Sequence, residues 1–165
     1  MSNIDLLFQR RSIRKYSNEP VSANDTEQII RAAMAAPSAS NKQPWHFITI
    51  TERATLTKLA ELHQYAKMLN EATLCIAVCG EKANKYAVQD CSAATQNILL
   101  AATGLGLGSV WLGVHPNAER EPQVAQLLEI PDSHFPLCLI AIGHPTEQKP
   151  PVDRYDPTKI HNETW

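Results

Sequence analysis

The chain lacks the features that mark a membrane, secreted or nucleic-acid-binding protein. No apolar run approaches the roughly 20 residues of a membrane helix, and no charged segment leads into an apolar one near residue 1. Acidic and basic side chains nearly balance, 17 against 15, for a net charge of −2. A protein that binds a nucleic-acid backbone normally carries a basic excess over a whole face. We therefore expect no membrane span, no secretion signal and no nucleic-acid partner.

Cysteines are few, and the usual zinc-ligand spacings are absent. Two of the four cysteines, Cys75 and Cys79, lie inside one apolar run of the sequence. Such thiols are typical of a buried, reduced state in a cytoplasmic protein rather than of a disulfide framework. The six histidines are scattered, and no C-x-x-C or H-E-x-x-H spacing occurs. We therefore expect no metal site.

Glycine is also scarce, with six residues in all, yet three of them fall between Gly104 and Gly108. A dinucleotide fingerprint places its glycines after a strand and before a helix, whereas these follow a predicted helix and precede a predicted strand. They are better interpreted as a helix end with one residue at positive φ, and as a close approach of the backbone to a flat group.

What is present predicts one domain over residues 1–165, with enough apolar side chains, 44%, for a real core. Hydrophobic periodicity alternates between the helical and the extended pattern along the chain. It predicts helices at 4–9, from Ser22 onward with Asp25 at the capping-box position, and at 56–69, 86–103 and 119–128, and strands at 45–51, 74–79, 109–114 and 136–142.

A basic run near the N-terminus suggests an anion site. Arg10, Arg11 and Arg14 surround Ser12, and three guanidinium groups with a hydroxyl can grip a dianionic phosphate. The alternative interpretation is a solvated basic face. A second segment, Pro37 to Trp45, is a polar loop whose amides could meet the edge of a flat heteroaromatic ring. It could equally be an ordinary connection from a helix to a strand, because a proline ends the helix before it.

These two segments, written R-R-S-x-R and P-S-x-x-N-x-Q-P-W, resemble the FMN-dependent nitroreductase family. The stretches 67–69, 90–108, 111–113 and 143–154 follow in the family's order, so the resemblance covers nearly the whole chain. It implies an α+β fold with a mixed, largely antiparallel sheet flanked by helices. It also implies an intertwined homodimer with two FMN sites at the subunit interface and an exchanged C-terminal arm.

The resemblance assigns residues to the FMN site. Five would hold the phosphate, four would lie beside the ring, two would lie on its pyrimidine side and two would face N5: Arg10, Arg11, Ser12, Arg14 and Arg154; Pro37, Ser38, Ala39 and Asn41; Gln64 and Lys67; Leu112 and Gly113. Lys149 is a weaker alternative to Arg154, and Asp153 could instead pair with Arg154 at the surface. His46 receives no role.

We expect Lys67 to act through its positive charge. No side chain is needed as a catalytic acid. Reduction leaves negative charge near N1 and O2 of the flavin, which a fixed cation stabilises. We expect Gln64 to lie one turn earlier on the same helical face. A surface lysine on an amphipathic helix is the alternative interpretation.

Two features predict a second subunit. The helix at 86–103 is apolar on most of its circumference, so it must be covered on more than one side, although a central helix in a monomer would satisfy this too. Residues from about 145 to 165 contain four prolines and read as an extended arm, with an untethered tail as the alternative.

The implied activity is that of an FMN-dependent oxidoreductase. It would use NAD(P)H to reduce nitro compounds, quinones or similar electron-poor acceptors in a ping-pong reaction through flavin N5. The alternatives are an FMN-binding module without turnover and, less favoured, a nucleic-acid-binding domain built on the basic run. The sequence does not distinguish NADH from NADPH or identify the physiological acceptor.

Overall fold

The centre of the fold is a four-stranded sheet made from the most apolar segments of the chain. The computed structural model describes residues 4–62 and 64–165. Its strands are β1 (Trp45–Ile50), β2 (Leu74–Glu81), β3 (Gly108–Gly113) and β4 (His134–Gly143), in the order β1-β2-β4-β3. All three pairings are antiparallel. Only an isolated bridge between Ser12 and Ser109 is parallel within the described residues, so the predicted α+β class is confirmed.

Helices cover both faces of the sheet. They are α1 (Asp5–Gln9), α2 (Ala23–Met34), α3 (Arg53–Leu62), α4 (Ala87–Gly104) and α5 (Arg120–Leu127), with 3-10 turns at Ala39–Asn41, Lys67–Asn70 and Pro157–Lys159. Helices α2 and α4 pack on one face and α3 and α5 on the other. Because side chains alternate along a strand, Ile76 of β2 joins the first core and Cys75 the second.

The predicted N-cap at Ser22 is confirmed, but the Asp25 carboxylate meets the Ser22 hydroxyl, so only half of the capping box forms. The Ser22 hydroxyl oxygen accepts the Asp25 N–H at 3.0 Å, and the same hydroxyl donates to the Asp25 carboxylate at 2.7 Å.

All four cysteines are free and buried, as predicted. Across the described ranges, each helix is too short or too polar to cross a membrane.

The predicted helix at 56–69 is wrong in extent. Helix α3 ends at Leu62, and a separate 3-10 turn follows at Lys67–Asn70. Arg53 explains the change, because its guanidinium donates to the carbonyls of Leu69, Asn70 and Ala72 at 2.7–2.9 Å. These bonds draw the chain back toward the start of α3. A continuous helix would carry those carbonyls away from Arg53.

The glycine-rich segment ends α4 as expected. Gly106 has φ 77°, and Leu107 N–H donates to the Ala102 carbonyl at 2.8 Å. Gly108 provides the predicted close approach, but to the chain itself rather than to a flat ligand. A Cβ at Gly108 would lie 2.6 Å from Cγ2 of Ile13. The buried Ile13 side chain therefore packs on Gly108 and holds the arginine run beside the start of β3.

The C-terminal arm begins on its own chain. Pro145 bridges to Tyr16, Thr146 N–H donates to the Lys15 carbonyl at 3.1 Å, and Lys149 Nζ donates to the Ser12 carbonyl at 2.7 Å. Farther along, the side chains are exposed, and Trp165 is fully so. Exchange of this arm between subunits stays a prediction.

The Ile13 contact predicts unequal effects of two glycine substitutions. Gly108→Ala should lower the free energy of unfolding by about 1–3 kcal/mol, the usual cost of overpacking, because the new methyl group meets Ile13. Gly104→Ala is the control, since its methyl group would have only Leu6 at 3.9 Å and alanine favours a helix. Urea denaturation should show a loss for Gly108→Ala alone; equal stabilities would contradict the contact.

Candidate cofactor site

A groove of about 580 Å³ lies between the 3-10 turn at Lys67–Asn70 and β3. Its walls come from three segments that are far apart in sequence. It is lined by Arg14, Gln64, Tyr65, Lys67, Met68, Trp111, Leu112 and Gly113. Five of the residues expected from the sequence therefore meet here: Arg14, Gln64, Lys67, Leu112 and Gly113.

Lys67 reaches the groove from a rigid support. The next two side chains, Met68 and Leu69, are buried in the core beneath α3, and Arg53 bonds the end of the turn. Lys67 itself is exposed and forms no ion pair within the described part of the chain. Gln64 lines the same groove but not from the same helix, because α3 has already ended. The expected helical pairing of Gln64 with Lys67 is therefore wrong, although their proximity is right.

The other wall is the outer edge of β3. This strand pairs only with β4 in the sheet, so its far side is an edge. The Ser109 carbonyl accepts the Ile13 N–H at 3.0 Å on that side. Since backbone groups alternate along an antiparallel strand, Trp111 and Gly113 present theirs on the same side. A Cβ at Gly113 would meet nothing within 4 Å, and the Gly113 carbonyl accepts a hydrogen bond from the Arg120 guanidinium at 3.0 Å.

Arg14 enters the groove because its neighbours in the run are anchored. Ile13 and Tyr16 are buried, and the residues between them, Arg14 and Lys15, are exposed. The Arg14 backbone N–H donates to the Glu147 carboxylate at 2.6 Å. That hydrogen bond lowers the pKa of Glu147. The backbone is thus held by the arm while the guanidinium is left for the groove.

The rest of the arginine run lines a second cleft of about 350 Å³ against the arm. Arg10, Arg11 and Arg154 meet there. Partial burial lowers the pKa of the Arg10 guanidinium, and the positive charges of Arg154 and Arg11 lower it further. The Asp153 carboxylate accepts the Tyr155 N–H at 2.9 Å, and no salt bridge of Arg154 occurs among the described residues. Gathered cations of this kind favour an anion.

Lys149 and Ser12 have other partners in this region. Besides its bond to the Ser12 carbonyl, Lys149 Nζ lies 3.2 Å from the Glu147 carboxylate. Lys149 thus serves to tie the arm to the run, and Arg154 is the late basic residue that joins the arginine cluster. Ser12 is partly buried and lines neither the groove nor the cleft.

The predicted ring loop lies apart from both depressions. Pro37, Ser38, Ala39 and Asn41 connect α2 to β1, and none of them lines the groove or the cleft. Three residues of this loop adopt positive φ, namely Ser40 and Asn41 at 53° and Gln43 at 50°. Such conformations cost energy and persist only where the surroundings hold them. Within one chain, the loop and the arginine run therefore line no common depression of these two.

Asp90, in the first turn of α4, holds this loop and was not foreseen from the sequence. Its Oδ1 accepts the Ala39 N–H at 3.1 Å, although the residue is only 6% exposed. Its Oδ2 is buried without a hydrogen-bond partner among the described residues. In the sequence, the signal for this role was a carboxylate, Asp90, beside the apolar face of a helix that carries almost no other charge. A buried carboxylate needs such a bond, so Asp90 and the loop fix each other.

Comparison with known proteins places the fold and these segments in one family. The Nitroreductase family profile matches residues 7–66 and 61–144. The chain belongs to the nitroreductase family. A protein of Archaeoglobus fulgidus named as an NADH dehydrogenase/NAD(P)H nitroreductase is 46% identical and covers 98% of each chain.

Solved nitroreductase structures share the whole fold. A crystal structure from Bacteroides thetaiotaomicron with the same designation superposes with a TM-score of 0.96 at 40% identity over 100% of both chains. An FMN-dependent nitroreductase from Clostridium difficile superposes with a TM-score of 0.93 at 30% identity, covering 98% of this chain and 99% of that one. The predicted resemblance is confirmed.

Asp90 predicts a measurable change in the loop. Asp90→Ala should speed amide hydrogen exchange at Ala39 about fivefold to a hundredfold, since a lost bond to a buried group costs about 1–3 kcal/mol. Asp90→Asn is the matched control, because its side-chain carbonyl can still accept that N–H. Equal protection of Ala39 in wild type and Asp90→Ala would show that the carboxylate does not hold the loop.

Proposed function

We propose that this nitroreductase is an FMN-dependent oxidoreductase that uses NAD(P)H to reduce nitro compounds, quinones or similar acceptors. The observation that carries the proposal is the groove, whose lining brings Lys67, a cation without an ion pair among the described residues, together with Leu112 and Gly113 of β3. The FMN dependence of the clostridial neighbour supports the choice of cofactor.

The donor groups present fit FMN. A phosphate dianion would neutralise the cationic cluster of Arg10, Arg11 and Arg154, whose charges otherwise repel one another. Ser12 and Arg14 continue the run toward the groove, where Arg14 is a lining residue. The glycines at 104–108 end a helix instead of beginning one, so they do not form the glycine fingerprint that binds a pyrophosphate. This favours a mononucleotide over FAD.

The chain's own residues orient and polarise the cofactor. When bound, FMN would supply the redox chemistry that carries two electrons from NAD(P)H to the acceptor in a ping-pong sequence. Lys67 stabilises negative charge on the pyrimidine side, with Gln64 beside it as a polar contact. Leu112 and Gly113 of β3, which line the groove, would lie beside N5. No side chain is required to donate a proton.

The complete site needs two chains. Pro37, Ser38, Ala39 and Asn41 lie away from the groove of their own chain, so the loop of a partner subunit supplies the ring contacts in a homodimer. Apolar side chains that a second copy would cover are exposed on α1 and near the start of α4: Leu7, Phe8, Tyr86 and Val88. The exposed end of the arm would then wrap the partner. The buried, free thiols suit a cytoplasmic protein.

The first test is the cofactor itself. The protein should purify yellow, and heat should release FMN and not FAD. Arg10→Ala and Arg14→Ala should each weaken FMN binding by about 1.5–3 kcal/mol, the scale of one charge-assisted hydrogen bond, or roughly tenfold to a hundredfold in Kd. Arg31→Ala is the control, because Arg31 is paired with Glu27 at 2.7 Å on the exposed face of α2. A colourless protein that FMN does not reconstitute would refute the proposal.

Lys67 provides a second test. Lys67→Met should lower the two-electron midpoint potential of bound FMN, with about 1.4 kcal/mol of lost stabilisation seen as roughly 30 mV. Binding of oxidised FMN should change much less, because the negative charge forms only on reduction. The half-reaction with NAD(P)H should slow. Lys58→Met is the control, since Lys58 lies on α3 and lines a different depression. If the midpoint potential of FMN bound to Lys67→Met equals that of FMN bound to Lys58→Met, Lys67 does not stabilise the reduced flavin.

A further inference from the structure

A cluster of side chains that could ligate a metal ion lies at one end of the central sheet. His46 of β1, Glu81 of β2 and His134 of β4 each offer a ligand atom, and these atoms all lie within 4.8 Å of one another. His46 Nε2 is 3.7 Å from Glu81 Oε1, and the two imidazole rings meet edge to face with centroids 4.5 Å apart. None of these residues lines the cofactor groove.

The strand register explains the convergence. Glu81 pairs directly with His134, and His46 pairs with Cys79, two residues before Glu81. Because side chains alternate between faces, His46, Glu81 and His134 share one face of three adjacent strands. Two backbone bonds hold the strand ends in place: Glu81 N–H donates to the Pro44 carbonyl at 3.1 Å, and Lys82 N–H donates to the Ser133 carbonyl at 2.9 Å.

His134 carries a nitrogen that needs a partner. Its Nδ1 lies 2.9 Å from the Ser133 hydroxyl oxygen. Its Nε2 is buried and has no hydrogen-bond partner among the described residues. In the tautomer with its proton on Nδ1, the N–H donates to Ser133 and Nε2 presents its lone pair. A hydrogen bond from the other ring nitrogen, as to Ser133 here, orients a histidine that ligates a metal.

We propose that His46, Glu81 and His134 form a divalent metal site that binds Zn²⁺. Two imidazoles and one carboxylate are a donor set that zinc prefers, with solvent in the fourth position. Tetrahedral ligands at about 2.0–2.1 Å from zinc lie about 3.4 Å apart, so the present spacing needs only small side-chain rotations. An open depression of about 270 Å³ beside His46 and His134 gives the ion and its water access.

The site adds to the oxidoreductase function and does not depend on it. Cys79 lines the same depression, but its Sγ is not among the ligand atoms that lie within 4.8 Å of one another, so it stands outside the ligand set. Bound zinc would tie β1, β2 and β4 together at the end where polar side chains replace apolar ones. The sequence predicted no metal site because these ligands share no local spacing; only the sheet brings them together.

Titration of the full-length, chelator-treated protein with Zn²⁺ tests the proposal. Calorimetry should give one Zn²⁺ per chain, and His46→Ala, Glu81→Gln and His134→Ala should each weaken binding at least about tenfold, since even outer-shell changes cost that much. His144→Ala is the matched control: its Nε2 lies 3.8 Å from a Glu19 carboxylate oxygen, a similar pair without a second imidazole. Its affinity should equal that of wild type.

Thermal melting keeps the test decisive if one variant folds poorly. Zn²⁺ should raise the Tm of wild type and of His144→Ala, because a ligand that binds only the folded state stabilises it, and it should not raise the Tm of Glu81→Gln. Circular dichroism of the metal-free proteins checks folding. Absence of Zn²⁺ binding by wild type, or binding that survives both His46→Ala and His134→Ala, would overturn the proposal.

Discussion

The attachment of the arginine run to the start of β3 is the contact on which the rest of the site depends. Ile13 packs on Gly108 where a side chain would clash, and its N–H bonds the Ser109 carbonyl. Because Ile13 is fixed, Arg14 points to the groove while Arg10 and Arg11 point to the cleft against the arm. The run thus joins two depressions, and the Lys149 bond to Ser12 fastens the arm over it.

Positive charge without an ion pair among the described residues is the second constraint. Arg10, Arg11 and Arg154 lie together, and Lys67 faces the groove with Arg14. Like charges at close range destabilise a fold, so such a cluster is retained where a ligand repays it. A phosphate at one end and a ring that gains negative charge at the other would do so. The same electrostatics that hold FMN would then favour its reduced form.

Much of this could be predicted from the sequence, for physical reasons that also show where prediction stops. Local patterns placed most helices and strands within a few residues, and the N-cap at Ser22 was right. The helix predicted through Leu69 was wrong because Arg53 captures distant carbonyls. Asp90 was missed for the same reason, since its partner Ala39 belongs to another element. Contacts between elements leave no periodic trace in the chain.

The central claim is that one FMN site requires two chains, and it is tested most directly by a heterodimer. Co-expressed, separately tagged chains would carry Arg10→Ala with Arg14→Ala in one, and Ala39→Glu with Asn41→Ala in the other. Either homodimer should bind FMN poorly, because both of its sites are damaged. The purified heterodimer contains one intact and one doubly damaged site, so it should bind one FMN per dimer with wild-type affinity. A heterodimer as depleted of FMN as its parents would mean that each site lies within one chain.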